Sequence, residues 1–211
     1  ADVALSISRT NEDYKETLGI ILDEAEKLDK KIKALLMIAQ TGFDGKVQKM
    51  DKVRIDQLLW DVIETLRRID SRNNIFLDIS MLPDNPKKLK VQGNEQLLHL
   101  AVTNIIQNGC KYSNFQQVKV SLGATDADVY IIVKDNGIGI PEEEMNKIYD
   151  PFFRASNTKN YEGYGIGLPL ARNIVRMHNG ELIVSSHENQ GTTVQLRFPN
   201  FYSVLAEEKQ A

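Results

Sequence analysis

The chain has 211 residues, 42% of them hydrophobic and 26% charged, with a net charge of −3. This is the composition of a folded globular protein holding one large domain, or a standard domain with an appendage. The charge gives no electrostatic footing for nucleic acid or an anionic membrane surface, no apolar run reaches the roughly 20 residues that span a bilayer, and the single cysteine, Cys110, fits a reducing compartment.

Residues 1–8, "ADVALSIS", read as the interior of a helix, which suggests a piece of a longer protein. From Tyr14 the apolar positions Tyr14, Leu18, Ile21, Ala25, Leu28, Ile32, Leu35 and Ala39 are separated by alternating steps of 4 and 3. That heptad stripe fits a coiled coil or helical bundle better than a helix lying on a sheet. "TNED" at 10–13 supplies its N-cap, and "TGFDG" at 41–45 ends it with Gly42 and Gly45. "KVQKMDKVRI" then reads as a short strand and "DQLLWDVIETLRRIDSRN" as an amphipathic helix capped by Asp56. "IFLDIS" alternates as a strand, "KKLKVQG" is a second short one, and Asn94 caps a helix from about Glu95 to Lys111. Two alternating strands follow, "QQVKVSLGA" and "DVYIIVKDNG", then a helix, "GLPLARNIVRMHNG", and a closing hairpin, "GELIVSSHENQGTTVQLRFP". The expected class is α+β: a two-layer sandwich with one mixed sheet covered by helices on one face, preceded by the heptad helix.

Four stretches carry candidate chemistry. Asn104, Asn108 and Lys111 fall at i, i+4 and i+7, so they share one face of an otherwise apolar helix. They read either as an exposed polar stripe or as a site, since an amide oxygen is a suitable hard ligand for Mg²⁺. "KDNGIGIP" ends a strand with Asp135, followed by Gly137 and Gly139. A carboxylate only accepts hydrogen bonds, so Asp135 could select an adenine through its exocyclic amine; an ordinary glycine turn is the plainer alternative. "DPFFRASNTKNYEGYG" has the length and polarity of a lid, with Arg154 and Lys159 available to phosphate or to solvent. Last, "NYEGYGIGLPLARNIV" places Gly163, Gly165 and Gly167 just before a helix starting near Leu168, with Pro169 in its first turn. The spacing is neither a dinucleotide fingerprint nor a P-loop, but a glycine-rich entry to a helix N-terminus offers N–H groups to phosphate.

In this order, an Asn-bearing helix, D-x-G-x-G, a Phe-Phe-Arg lid and G-x-G-x-G resemble the N, G1, F and G2 boxes of sensor histidine kinases, within the GHKL (Bergerat-fold) ATPases. The resemblance covers essentially the whole chain and implies an ATP-binding domain at 45–203. Residues 1–44 would be part of a dimerisation and phosphotransfer bundle, and 204–211 a tail. By resemblance, Asn108 holds Mg²⁺, Lys111 contacts phosphate, and Tyr112 lines the nucleotide site. Asp135 reads the adenine amine, and Gly137 and Gly139 shape the base pocket. Gly163, Gly165 and Gly167 hinge the lid, Leu168 borders the nucleotide, Thr192 supports the adenine through water, and Asn104 belongs to the first box. Gly109 and Pro169 stand where the family usually has alanine, and Tyr164 where a small hydroxyl residue is common.

The resemblance also implies an acceptor histidine with an acid beside it, and none of His99, His178 and His187 fits. His178 reads as a helix C-terminal residue interacting with the dipole, and His187 falls in a hairpin turn. The acceptor is therefore expected upstream of Ala1. The implied partners are ATP with Mg²⁺, a response-regulator receiver domain, and a second subunit through the heptad helix. No nucleic acid and no membrane contact by this piece are expected; it would be the cytoplasmic portion of a membrane-anchored sensor. A non-catalytic nucleotide-binding regulator, a GHKL serine kinase and a conformational ATPase are the competing readings.

Overall fold

A computed structural model describes Thr10, residues 12–22, 24, 25, 28 and 32, and residues 49–202. The described residues between 12 and 32 are helical, with Tyr14, Leu18, Ile21, Leu28 and Ile32 exposed. Thr10 caps the start reciprocally. The Asp13 amide donates to Thr10 Oγ1 at 3.2 Å, and the Thr10 amide donates to Asp13 Oδ2 at 3.0 Å. The expected helix end at Gly42 and Gly45, residues 1–8, the boundary at 44–45 and the 204–211 tail lie outside the described residues.

The sandwich begins with strand β1 (Asp51–Arg54), which runs directly into helix α1 (Ile55–Ile69). Asp56 is not its cap. Arg54 occupies that position without a side-chain cap bond, and Asp56 lies in the first turn, where it accepts from Arg54 Nε at 3.1 Å. With no linker between strand and helix, the carboxylate enters the first turn instead of preceding it, and there it still complements the helix dipole. Strand β2 (Ile75–Asp78) follows, and then strand β3 (Lys90–Gly93). The first half of the expected "KKLKVQG" strand is a 3₁₀ turn, Pro86–Leu89, with Asn85 Oδ1 accepting from the Lys87 amide at 3.0 Å. Helix α2 (Glu95–Tyr112), strands β4 (Val118–Ala124) and β5 (Asp128–Lys134), helix α3 (Gly167–Met177), and strands β6 (Glu181–His187) and β7 (Gly191–Pro199) complete the order.

Five strands form one mixed sheet in the order β2-β4-β5-β7-β6, with only β2 and β4 parallel. The α+β class holds, with one addition: β1 and β3 pair with each other in a separate antiparallel sheet. Period-2 alternation turns Val129, Ile131 and Val133 of β5 and Val194, Leu196 and Phe198 of β7 inward. The apolar stripes of α1, α2 and α3 close over them, burying Leu58, Val62, Leu98, Ile105 and Ile174.

His178 ties two of the helices together. It is the C-cap of α3 and 5% exposed. Its Nδ1 lies 2.6 Å from the Ile174 carbonyl and its Nε2 accepts from the Asn94 amide at 2.9 Å. A carbonyl needs a donor and an amide N–H needs an acceptor, so the ring is neutral with its proton on Nδ1. The expected dipole contact is thus a hydrogen bond to a last-turn carbonyl, made by an uncharged ring. Asn94 itself caps α2, accepting from the Leu97 amide at 3.1 Å.

Burial holds the His178 pKa below its usual 6.5. Between the folded value and 6.5 the unfolded chain binds more protons, so stability is full above 6.5 and is lost as pH falls through the folded value. Denaturant titrations from pH 8 to pH 5 should show this decline. His178→Ala should flatten it and lower stability by about 1–3 kcal/mol, since the Asn94 amide loses its acceptor.

Candidate functional site

A cleft of about 1730 Å³ opens between α2, the end of β5, the long loop after it and the start of α3. Of the residues singled out by sequence, Asn104, Asn108, Lys111, Tyr112, Asp135, Gly139, Arg154, Gly163, Gly165, Gly167, Leu168 and Thr192 line it. Gly137 and Lys159 do not. Gly137 stands behind Asp135 and donates its amide to Oδ1 at 2.8 Å, while Lys159 is exposed on the outer side of the loop.

Asp135 is 6% exposed. The amides of Gly137 and Thr192 both bond its Oδ1, at 2.8 and 3.2 Å, which leaves Oδ2 outside the pair. Burial raises the pKa of the carboxyl above its ordinary 3.8, and the two backbone donors pull it back down. On the facing helix, Asn104 Nδ2 donates to the Leu100 carbonyl at 2.9 Å. The side-chain amide of Asn108 is half-buried and makes no hydrogen bond to a described residue. The absence of a side chain at Gly167 lets this helix come close: a Cβ there would stand 2.9 Å from Asn104 Oδ1.

The loop from Asp150 to Ile166 is an ordered lid. At its base the Phe152 amide donates to the Gly165 carbonyl at 3.0 Å. Gly165 has φ +69°, and a Cβ there would lie 2.2 Å from the Phe153 carbonyl oxygen, so only glycine closes this base. Arg154 Nη2 donates to the Thr158 carbonyl at 2.5 Å and also to that of Tyr161, so here the guanidinium holds the lid backbone. Tyr161 packs against Tyr112 with ring centroids 5.2 Å apart and donates its hydroxyl to Asn114 Oδ1 at 3.1 Å. Lys111 Nζ donates to the Glu162 carbonyl at 2.9 Å and lies 4.1 Å from the Tyr112 ring centre. Tyr161, Asn114 and Glu162 were not singled out from sequence. Their hydrogen bonds span 47 and 51 positions, and no local pattern marks them.

Chemically, the cleft offers a deep acceptor-only wall at Asp135, an uncommitted side-chain amide and an ammonium on one helix face, and a helix N-terminus beside the long loop. A family described as histidine kinase-, DNA gyrase B- and HSP90-like ATPases matches residues 93–201, more than half of the chain, and the chain belongs to that family. Its relatives narrow the class: this is the ATP-binding catalytic part of a sensor histidine kinase. The sensor histidine kinase YkoH of Bacillus subtilis is 30% identical over 87% of the chain, which spans 39% of that protein's length. The mycobacterial sensor histidine kinase MprB superposes with a TM-score of 0.60 and 26% identity, over 72% of this chain and 98% of that one. Full-length ShkA, in complex with AMPPNP, matches in fold with a TM-score of 0.69 and 20% identity, over 92% of this chain and 40% of that one.

Gly165→Ala should open the lid base, at a cost of about 1–3 kcal/mol for a side chain at this backbone conformation. Hydrogen exchange at the Phe152 amide should accelerate while amides in β5 and β7 keep their protection.

Proposed function

We propose that the chain binds Mg²⁺-ATP in this cleft and transfers the γ-phosphoryl to a histidine carried on a separate helical segment. Asp135 carries the reading: a buried carboxylate with one oxygen committed to the backbone and the other uncommitted is suited to accept from the adenine amine. Gly137 and Gly139 shape the wall beside it, Tyr112 flanks the base, and Thr192 supports it through water. The phosphates meet Lys111, Asn104 and the Gly163–Leu168 entry to α3. Lys111 then exchanges the Glu162 carbonyl for a phosphate oxygen, which couples lid position to the nucleotide. Arg154 shapes the lid by its carbonyl bonds and, with Lys159, answers phosphate charge as the lid moves.

The residues suit a magnesium ion. Mg²⁺ keeps most of its shell as water and phosphate oxygen, so one uncommitted amide at Asn108 beside Lys111 is an adequate protein contribution. When bound, the ion neutralises charge on the β- and γ-phosphates. The chain's own task is to position the γ-phosphorus for in-line attack and to exclude water beneath the lid. The nitrogen–phosphorus bond forms as the bridging phosphorus–oxygen bond breaks, ADP departs, and the phosphorylated imidazolium loses the proton on its other nitrogen.

No histidine of this chain suits the acceptor role. Both His178 nitrogens are engaged in a buried site, His99 faces Thr103 at 3.4 Å on α2, and His187 ends β6. The chain alone should therefore bind ATP without phosphorylating itself on histidine. Relay to a receiver domain of a response regulator, pairing with a second subunit through the heptad helix, and a cytoplasmic position in a membrane-anchored sensor complete the proposal. Among the described residues no helix is long and apolar enough to cross a membrane.

Titration with a non-hydrolysable ATP analogue should show binding by the parent and a loss of at least tenfold, about 1.4 kcal/mol, in Asp135→Asn. Because burial raises the Asp135 pKa, binding should be full well above that value and fall with acidification sooner than an exposed aspartate would allow. Asp135→Asn should lack that limb. Phosphate transfer to an added histidine-bearing bundle supports the kinase reading; transfer to serine overturns it.

A further inference from the structure

Ser186, on the inward side of β6, makes three polar contacts and has one proton. Its Oγ accepts from the Ile140 amide at 3.0 Å, lies 2.9 Å from the Gly191 carbonyl oxygen, and lies 2.9 Å from Thr192 Oγ1. The residue is 9% exposed and stands outside the cleft lining, whereas Thr192 is part of it. The amide can only donate and the carbonyl can only accept. Satisfying all three contacts therefore spends the Ser186 proton on Gly191 and fills one Ser186 lone pair from Ile140. The remaining lone pair must be filled by Thr192, which donates its only proton away from the cleft.

We infer that Ser186 is a specificity-determining positioning residue, which fixes the Thr192 hydroxyl so that it offers the nucleotide base lone pairs and no proton. This rests on the ATP-site reading above. Thr192 adjoins Asp135, with the Thr192 amide donating to Asp135 Oδ1 at 3.2 Å and the Asp135 amide donating to the Thr192 carbonyl at 2.9 Å. The base thus meets two neighbouring groups that accept and neither that donates. An exocyclic amine satisfies them. An exocyclic carbonyl at the same place faces only lone pairs, and a site with unmatched buried polar groups rejects such an analogue strongly.

Adenosine and inosine triphosphates differ at this group, with a carbonyl in inosine replacing the amine, and at the adjoining ring nitrogen, which accepts in adenine and carries a proton in inosine. The role of Ser186 is therefore read from the change in preference between parent and variant. Calorimetric titration of the parent with non-hydrolysable analogues of both should show a strong preference for the adenine form. Ser186→Ala frees the Thr192 hydroxyl to turn its proton into the cleft. The preference should then fall about tenfold, mainly through tighter inosine binding. A role confined to folding would weaken both nucleotides alike. In Ser186→Ala/Thr192→Val, which has no proton to turn, the gain for inosine should vanish. Thr192→Val alone should lower the preference by weakening adenine binding, and it serves if Ser186→Ala does not fold. A preference unchanged in Ser186→Ala or in Thr192→Val overturns the inference while leaving the ATP site standing. A parent that binds neither nucleotide overturns both.

Discussion

A carboxylate at 6% exposure, with no cation paired to it among the described residues, must draw its compensation from fixed dipoles. For Asp135 both donors are main-chain amides, Gly137 from its own loop and Thr192 from across the sheet, so the second depends on strand register. β5 pairs with β7 through Val133↔Val194 and Lys134↔Thr193, and the reciprocal bonds between Asp135 and Thr192 continue that ladder by one step. A slip of one residue would turn Val129, Ile131 and Val133 away from the core, and their burial alongside Leu196 and Phe198 forbids it. The hydrophobic alternation of two strands therefore determines where a charged atom stands in the cleft.

Helix α2 forms the other wall, and its placement is settled far from the cleft. Its apolar face, with Leu98, Val102, Ile105 and Ile106, belongs to the core, while Asn104, Asn108 and Lys111 face the cleft. The Asn94–His178 bond joins its start to the end of α3, and the close approach of Asn104 to Gly167 joins its middle to the start of α3. The two helices therefore run antiparallel, with ten or eleven residues, roughly 15 Å of helix, between the two contacts. A neutral ring buried at one end thus helps set how the cleft-facing end of α3 meets the side-chain amides of α2.

Much of this was legible in the sequence because it is local. Alternation marked β2, β4 and β5, the closing hairpin marked β6 and β7, and Asn94 announced the start of α2, because strand pleat and helix capping are written within a few residues. The i, i+4, i+7 spacing put Asn104, Asn108 and Lys111 on one face, and all three line the cleft. What could not be read depends on tertiary partners. Nothing near Asp56 shows that β1 enters α1 without a linker, and "KKLKVQG" does not show that β3 leaves the main sheet to pair with β1. His178 is chemically ordinary until Asn94, 84 positions away, donates to it. Arg154 and Lys159 looked alike as cations in a polar loop, yet one is drawn into the lid by two carbonyls and the other remains outside.

The lid shows how a long polar loop becomes ordered without a hydrophobic core of its own. Backbone groups that a loop leaves unpaired must find partners, and here cationic side chains supply them for three carbonyls of the lid. Arg154 gathers two carbonyls within the lid, Lys111 takes a third from outside it, and Asn157 Nδ2 donates to the Gly139 carbonyl at 3.1 Å. Lys111 is the consequential member, because it belongs to α2 and to the stripe that lines the cleft. Its bond to the Glu162 carbonyl is a neutral-acceptor bond, and a phosphate oxygen is the stronger acceptor for an ammonium. An anionic group reaching Lys111 in the cleft would therefore compete directly with a contact that holds the lid.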